Sequence, residues 1–223
     1  VTRPYYADDL VTLYHGDCRD ITEWLSADVL VTDPPYGIGW TRGSVRGGRP
    51  HPGIIGDGDT TVRDWALEMW APRPAIVFGS LYAPFPAGLR QALIWQKPLD
   101  AGLIGSTTGF RRDVEAVFLV GSWPQHPGTT SSVLRSSARS VGNPSSPAGR
   151  TGHPHTKPVD LMEQLITAAP PGVVADPFVG SGSTLVAAKR QGRHAIGVEI
   201  DERYCEVAAR RLAQDVLDFG ESA

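Results

Sequence analysis

Val173–Ile200 reads VVADPFVGSGSTLVAAKRQGRHAIGVEI, and this stretch decides the fold. It opens with a short aliphatic strand, Val173–Ala175, crosses a glycine-bearing loop and enters a helical pattern at Thr184–Gln191. A second strand, His194–Glu199, follows directly, so the unit is strand–loop–helix–strand and its two strands run parallel. The loop holds Asp176, Phe178, Gly180, Ser181, Gly182, Ser183 and Thr184. Its glycines let a ligand approach the backbone closely, and the helix N-terminus presents N–H groups to an anion. It is not a dinucleotide fingerprint, because Leu185 stands where the third glycine belongs. It is not a phosphate loop either, since the Gly-Lys pair is missing. What survives is a nucleoside-type pocket for a ligand with a carboxylate rather than a pyrophosphate. Glu199, 23 residues beyond Asp176, ends the second strand near where an acid meets ribose hydroxyls in such sites.

The rest of the chain repeats the alternation. Further strands are expected at Val11–Tyr14, Asp28–Thr32, Ala75–Phe78, Ala92–Gln96 and Val114–Val120, most of them aliphatic on both faces. Helices are expected at Asp20–Leu25, at Thr61–Trp70 with Trp65, Met69 and Trp70 on one side, at Val159–Ala169 and at Glu202–Leu217. The fold class is therefore α/β, a mostly parallel sheet with helices on both faces. Two stretches break the pattern. Gly37–Gly58 is rich in Gly, Pro and Arg, and Ser122–His155 is rich in Ser, Gly and Pro with one short helical patch at Ser131–Val141. Loops this long are uncommon inside a compact domain and are usually functional or disordered.

Composition narrows the classes. The 223 residues are 41% hydrophobic and 20% charged, enough for one substantial core. No apolar run approaches the ~18 residues of a membrane helix, and no apolar signal region opens the chain, so a cytoplasmic protein without membrane contact is expected. Cys18 and Cys205 stand far apart with no CxxC or Cys/His cluster, so neither a disulfide scaffold nor a metal site is expected. The net charge of −3 argues against a uniformly basic nucleic-acid binder. The acids, however, are absent from Gly37–Gly56 and from Ser122–His155. Arg42, Arg46 and Arg49 lie in one acid-free segment, and Arg135, Arg139 and Arg150 in the other.

Asp33-Pro34-Pro35-Tyr36 follows the strand Val29–Thr32 directly. In an open α/β sheet, ligands bind at the carboxyl ends of strands. The paired prolines stop the strand and leave backbone carbonyls as acceptors. A carboxylate, a rigid carbonyl and an aromatic face thus meet, which suits an exocyclic amino group on a flat heteroaromatic ring. Accepting both amino hydrogens favours a pyramidal nitrogen whose lone pair can attack an electrophile.

These residues resemble the amino-methylating DNA methyltransferases that use S-adenosyl-L-methionine. The Asp-Pro-Pro-Tyr tetrapeptide is similar to their catalytic motif, and Asp176–Thr184 to their cofactor loop. Having the catalytic motif first and the cofactor loop near the C-terminus resembles the circularly permuted β group, on a Rossmann-like fold. The resemblance implies catalytic roles for Asp33, Pro34, Pro35 and Tyr36. It implies cofactor contacts from Asp17 and Cys18, from Asp33, from His155, Thr156 and Lys157 at the methionine end, from the loop, and from Glu199 and Ile200. Phe78-Gly79-Ser80 resembles the segment closing the cofactor side of the cleft, and Leu93–Lys97 with Glu115–Val120 the paired strands after it. It also implies one domain in two halves, 1–121 catalytic and 156–223 cofactor-binding, around a small target-recognition insert at 122–155. That insert is shorter than the family usually carries, which points to a short recognition site or to ordering by DNA.

The implied partner is DNA, met by the six loop arginines; a second copy of the chain and a cognate restriction endonuclease are partners left open. Adenine N6 is the expected target, reached by base flipping, because the cytosine-N4 motif more often begins with Ser. Cytosine C5 chemistry needs a cysteine after a proline, whereas Cys18 follows Asp17 and Cys205 follows Tyr204. Methylation of a protein glutamine usually places Asn first and the cofactor loop upstream. A non-catalytic cofactor- or DNA-binding regulator predicts a damaged motif, and the motif is intact.

Overall fold

The computed structural model describes residues 2–40, 53–98, 109–125, 130–137 and 155–218. In chain order these form β1 (Tyr6–Ala7), β2 (Val11–His15), a 3-10 turn (Glu23–Ser26), β3 (Val29–Thr32), α1 (Thr61–Trp70), β4 (Ala75–Gly79), β5 (Leu89–Gln96) and β6 (Val114–Val120). There follow β7 (Val133–Arg135), α2 (Val159–Ala168), β8 (Val174–Asp176), α3 (Ser183–Arg190), β9 (Ala195–Glu199) and α4 (Glu202–Asp218). The strands join one sheet in the order β1-β2-β9-β8-β3-β4-β6-β5-β7. From β2 to β4 every pairing is parallel. Beyond β4 the sheet turns antiparallel through β6 and β5, and β7 adds parallel to β5.

Side-chain alternation divides the core into two layers. Val29, Val31, Ile76 and Phe78 pack on one face with Leu161, Leu165 and Ile166 of α2, Leu185 of α3, and Cys205 and Leu212 of α4. Leu30, Ala75 and Val77 point to the other face, against Trp24 of the 3-10 turn and Ala66, Leu67 and Trp70 of α1. Burial on both faces explains why β3 and β4 read as unbroken apolar runs. Close packing of α3 is made possible by Gly197, where a Cβ would meet Val179 at 2.4 Å and Leu185 at 2.9 Å. Cys18 and Cys205 are buried free thiols.

Three local expectations need correction. The patch Ser131–Val141 is not helical where it is described. Val133–Arg135 forms edge strand β7, with Leu134 buried and its neighbours exposed, because pairing with β5 satisfies the backbone of a segment too short to nucleate a helix. Asp20–Leu25 gives only the 3-10 turn Glu23–Ser26. On α1 the buried stripe is Arg63, Ala66, Leu67 and Trp70, while Met69 is 47% exposed. Arg63 can lie inward because its guanidinium donates to the Pro84 carbonyl and pairs with Asp64.

Candidate active site

Four neighbouring parallel strands each deliver an acid at their carboxyl ends. In sheet order these are Asp17 just past β2, Glu199 on β9, Asp176 on β8 and Asp33 just past β3. The parallel register sets this row, with His15 beside Glu199 and Asp176 beside Gly197.

Each acid is held differently. Asp176 accepts from the Thr32 hydroxyl at 2.7 Å and from the Phe178 amide at 3.0 Å. Burial pushes its carboxyl up to about 6 against those hydrogen bonds. Glu199 accepts the Gly180 amide on Oε2 at 2.7 Å and the Asp201 amide on Oε1 at 2.8 Å. Burial first, then the charges of Asp176 and Asp201, raise it to about 7 although those two amides favour the ionised form. Asp17 is clasped by Arg19, whose hydrogen bonds hold it below its ordinary range. Beside it Cys18 is buried, and its carbonyl accepts the Trp24 indole N–H at 3.0 Å.

The loop between β8 and α3 turns on two glycines in the left-handed region, Gly180 and Gly182. At Gly182 a Cβ would meet the Ala208 Cβ of α4 at 2.9 Å, so both conformation and space call for glycine. The segment ahead of α2 is stitched to this loop. Thr156 and Ser181 hydroxyls lie 3.0 Å apart, and the Ser183 hydroxyl donates to the Lys157 carbonyl at 2.7 Å. Thr184 is buried at the start of α3, Phe178 packs partly buried under the sheet, and Ile200 stands 45% exposed beside Glu199.

Asp33 meets a second group of charges. Lys157 Nζ donates to Asp33 Oδ2 at 2.6 Å and to the Tyr36 hydroxyl at 3.0 Å, and lies 2.9 Å from Glu115 Oε1. The Tyr36 hydroxyl lies 2.7 Å from Asp33 Oδ1 and 2.5 Å from Glu115 Oε1. Lys97 Nζ closes the far side of Glu115 at 2.7 Å. Burial and the neighbouring Glu115 charge raise Asp33 in spite of Lys157. Glu115 faces two lysines and is held well below the usual carboxylate range, although burial opposes this. Burial and both carboxylates lift the Tyr36 phenol, while His155, edge-on to Trp40 at 4.3 Å, is lowered to about 4 by burial and then by Lys157. Pro34 is buried, and the turn after Tyr36 is braced by Asp57, which accepts the Gly37 and Trp40 amides at 2.8 and 2.7 Å.

Lys157, 124 positions from Asp33 in the chain, thus joins Asp33 and Tyr36, and it also engages Glu115. Glu115, Lys97 and Asp57 were missed by the sequence reading. One signal was present: Glu115 is a lone acid in an apolar strand, opposite Trp95 and two residues from Lys97 in that register. Arg135 lies on β7 with Nε 3.2 Å from Gln96 Oε1. Arg42, Arg46, Arg49, Arg139 and Arg150 lie outside the described residues.

A carboxylate row above a parallel sheet, with a glycine loop and an Asp-Pro-Pro-Tyr turn, defines an enzyme-like nucleoside site. The family model described as DNA methylase, of the N6/N4 type, matches residues 64–210. The type II methyltransferase M.ScaI of Streptomyces caespitosus is 41% identical over 276 aligned positions, covering 94% of this chain and 84% of that protein. The type II methyltransferase M2.DpnII of Streptococcus pneumoniae is 26% identical, covering 95% of this chain and 93% of that protein. The chain belongs to the N6/N4 DNA methylase family. In fold it is similar to the cytosine-N4-specific PvuII DNA methyltransferase, with TM-score 0.63, 18% identity, and coverage of 97% of this chain and 93% of that one. It is also similar to M1.HpyAVI in its SAM complex, with TM-score 0.62, 21% identity, and coverage of 91% and 99%. Among the described residues no helix is long and apolar enough to cross a membrane.

Proposed function

We propose that this protein transfers a methyl group from S-adenosyl-L-methionine to the exocyclic N6 amine of adenine in DNA. The observation that carries the reading is Asp33 at the carboxyl end of β3, next to the glycine loop and Glu199. The residues fit the cofactor. Each Glu199 oxygen takes one backbone N–H and keeps acceptor capacity for a ribose hydroxyl. Asp17, Cys18 and Ile200 border the adenine end, and the Gly180–Thr184 loop with His155 and Thr156 borders the methionine end. Bound there, S-adenosyl-L-methionine supplies an electrophilic methyl group on a sulfonium sulfur.

The chain's own groups do the rest. Asp33 and the Pro34 carbonyl accept the two hydrogens of the target amine, and the Tyr36 ring, set by Pro35, stacks on the flipped base. Asp33 takes the proton the nitrogen loses as the nitrogen–carbon bond forms and the carbon–sulfur bond breaks, the electron pair staying on sulfur. Arginines of the two basic loops hold the duplex. In this reading residues 122–155 are a small recognition insert between two halves of one permuted domain. The protein works in the cytoplasm, and similarity to type II methyltransferases favours a cognate restriction endonuclease as partner.

Asp rather than Ser at the head of the tetrapeptide supports adenine over cytosine N4. Incubation with unmethylated DNA and labelled S-adenosyl-L-methionine, then nucleoside analysis, tests this. The N6-methyl derivative of deoxyadenosine is the expected product. The N4-methyl derivative of deoxycytidine would overturn the adenine assignment, and no labelled nucleoside the activity itself.

A further inference from the structure

Glu115 sits in a strand whose neighbours Ala116, Val117 and Phe118 are buried, and its own side chain is only 11% exposed. For stability alone an apolar residue serves such a position at least as well as an ion pair. The donor count shows what the acid does instead. Lys157 has three N–H donors, directed to Asp33, Glu115 and the Tyr36 oxygen. Tyr36 has one O–H, within reach of both Asp33 Oδ1 and Glu115 Oε1. Two carboxylates therefore divide one ammonium and one phenolic proton, and Lys97 balances Glu115 from its other side.

We propose that Glu115, anchored by Lys97, is a positioning residue for methyl transfer. By drawing part of the Lys157 ammonium and the Tyr36 hydroxyl away from Asp33, it keeps the Asp33 carboxylate basic enough to take the proton of the target amine. This rests on the methyl-transfer reading above. Without Glu115, Lys157 and Tyr36 turn wholly to Asp33, which becomes a weaker base. Lys157, Tyr36 and Glu115 face Asp33 directly. Lys97 and His155 act from behind them, and Asp176 from the adjacent strand.

The test compares wild type, Glu115→Gln and Lys97→Met as full-length proteins. Carbon-13 NMR follows the Asp33 carboxyl against pH without ligand, assigned through Asp33→Asn, and steady-state kinetics gives kcat and KM against pH. Glu115→Gln is expected to lower the Asp33 midpoint and the acid limb of kcat together, by about one pH unit, with kcat down about tenfold and the KM for S-adenosyl-L-methionine within about twofold. Lys97→Met moves the midpoint the other way, because it strips a cation from Glu115. A merely structural role moves neither midpoint in these opposite senses. Unchanged midpoints in folded variants overturn the proposal. Should Glu115→Gln not fold, Lys97→Met decides, since Lys97 is 27% exposed. Absence of methyl transfer by wild type counts against the functional reading alone, because the NMR titration still reads the network.

Discussion

Thr32 Oγ1 donates to Asp176 Oδ1 across 2.7 Å, joining the ends of two adjacent parallel strands that are 144 positions apart in the chain. This bond closes the floor between the Asp-Pro-Pro-Tyr turn after β3 and the glycine loop after β8. It also fixes a buried acid where charge is costly.

Asp176 gives the first prediction. Its folded value of about 6 lies above the ordinary 3.8, so the folded state holds the proton more tightly than the unfolded state does. The resulting stability is full below about pH 4 and is lost as pH rises through about 6. Asp176→Asn keeps an acceptor for Thr32 and carries no charge. Its unfolding free energy is expected to exceed that of wild type at pH 8, by an amount on the order of 3 kcal/mol, and to converge with it in acid. Equal pH slopes in the two proteins contradict this.

Glu199 gives the second. Under the proposed function the ribose hydroxyls donate to an ionised carboxylate, so cofactor affinity is expected to rise as pH passes up through about 7 and then level off. Glu199→Ala is expected to remove that dependence and to weaken binding at pH 8 by roughly 1.5–3 kcal/mol for each hydrogen bond removed. Calorimetric titration at several pH values measures both effects, and unchanged affinity takes Glu199 out of the pocket.

Asp33→Ala separates chemistry from cofactor binding. Turnover is expected to be abolished, while cofactor affinity stays nearly intact because Glu199 and the loop are untouched. Turnover retained within about tenfold, roughly 1.4 kcal/mol of barrier, sinks the role of Asp33.

The basic segments 37–56 and 122–155 are tested as two arginine trios. Alanine at Arg42, Arg46 and Arg49 is expected to weaken all DNA alike and flatten the salt dependence by about one unit of slope for each phosphate no longer neutralised. Alanine at Arg135, Arg139 and Arg150 is expected to relax site preference, at ~1–3 kcal/mol for each base edge no longer read. Binding against salt and methylation across a site library reads both. Wild-type behaviour of both variants places the DNA path elsewhere.

Local pattern made much of this molecule legible. β3, β4 and β6 are apolar runs bounded by turn residues, and α2 carries Leu161, Leu165 and Ile166 at helical spacing. The Asp-Pro-Pro-Tyr turn and the glycine loop were readable because proline fixes its own φ and glycine alone readily enters the left-handed region such a loop needs. Edges were harder. Val133–Arg135 is a strand only because β5 offers an open side for it to pair with. The inward side of α1 depended on the Pro84 carbonyl and the neighbouring Asp64, which receive Arg63.

Charge shows the same division more sharply. Sequence alone determined that Asp17, Asp33, Asp176 and Glu199 end strands, since each closes or follows an apolar run in an α/β alternation. Sheet order, which lines these four side by side, is set by nonlocal strand pairing. The same is true of the meeting of Asp33 with Lys157, 124 positions away, and of Tyr36 with Glu115, 79 positions away. A carboxylate's basicity depends on the cations within a few ångströms and on the water excluded around it. Those distances exist only once the strands have paired, so the tertiary structure decided which acid stays ionised and which can hold a proton.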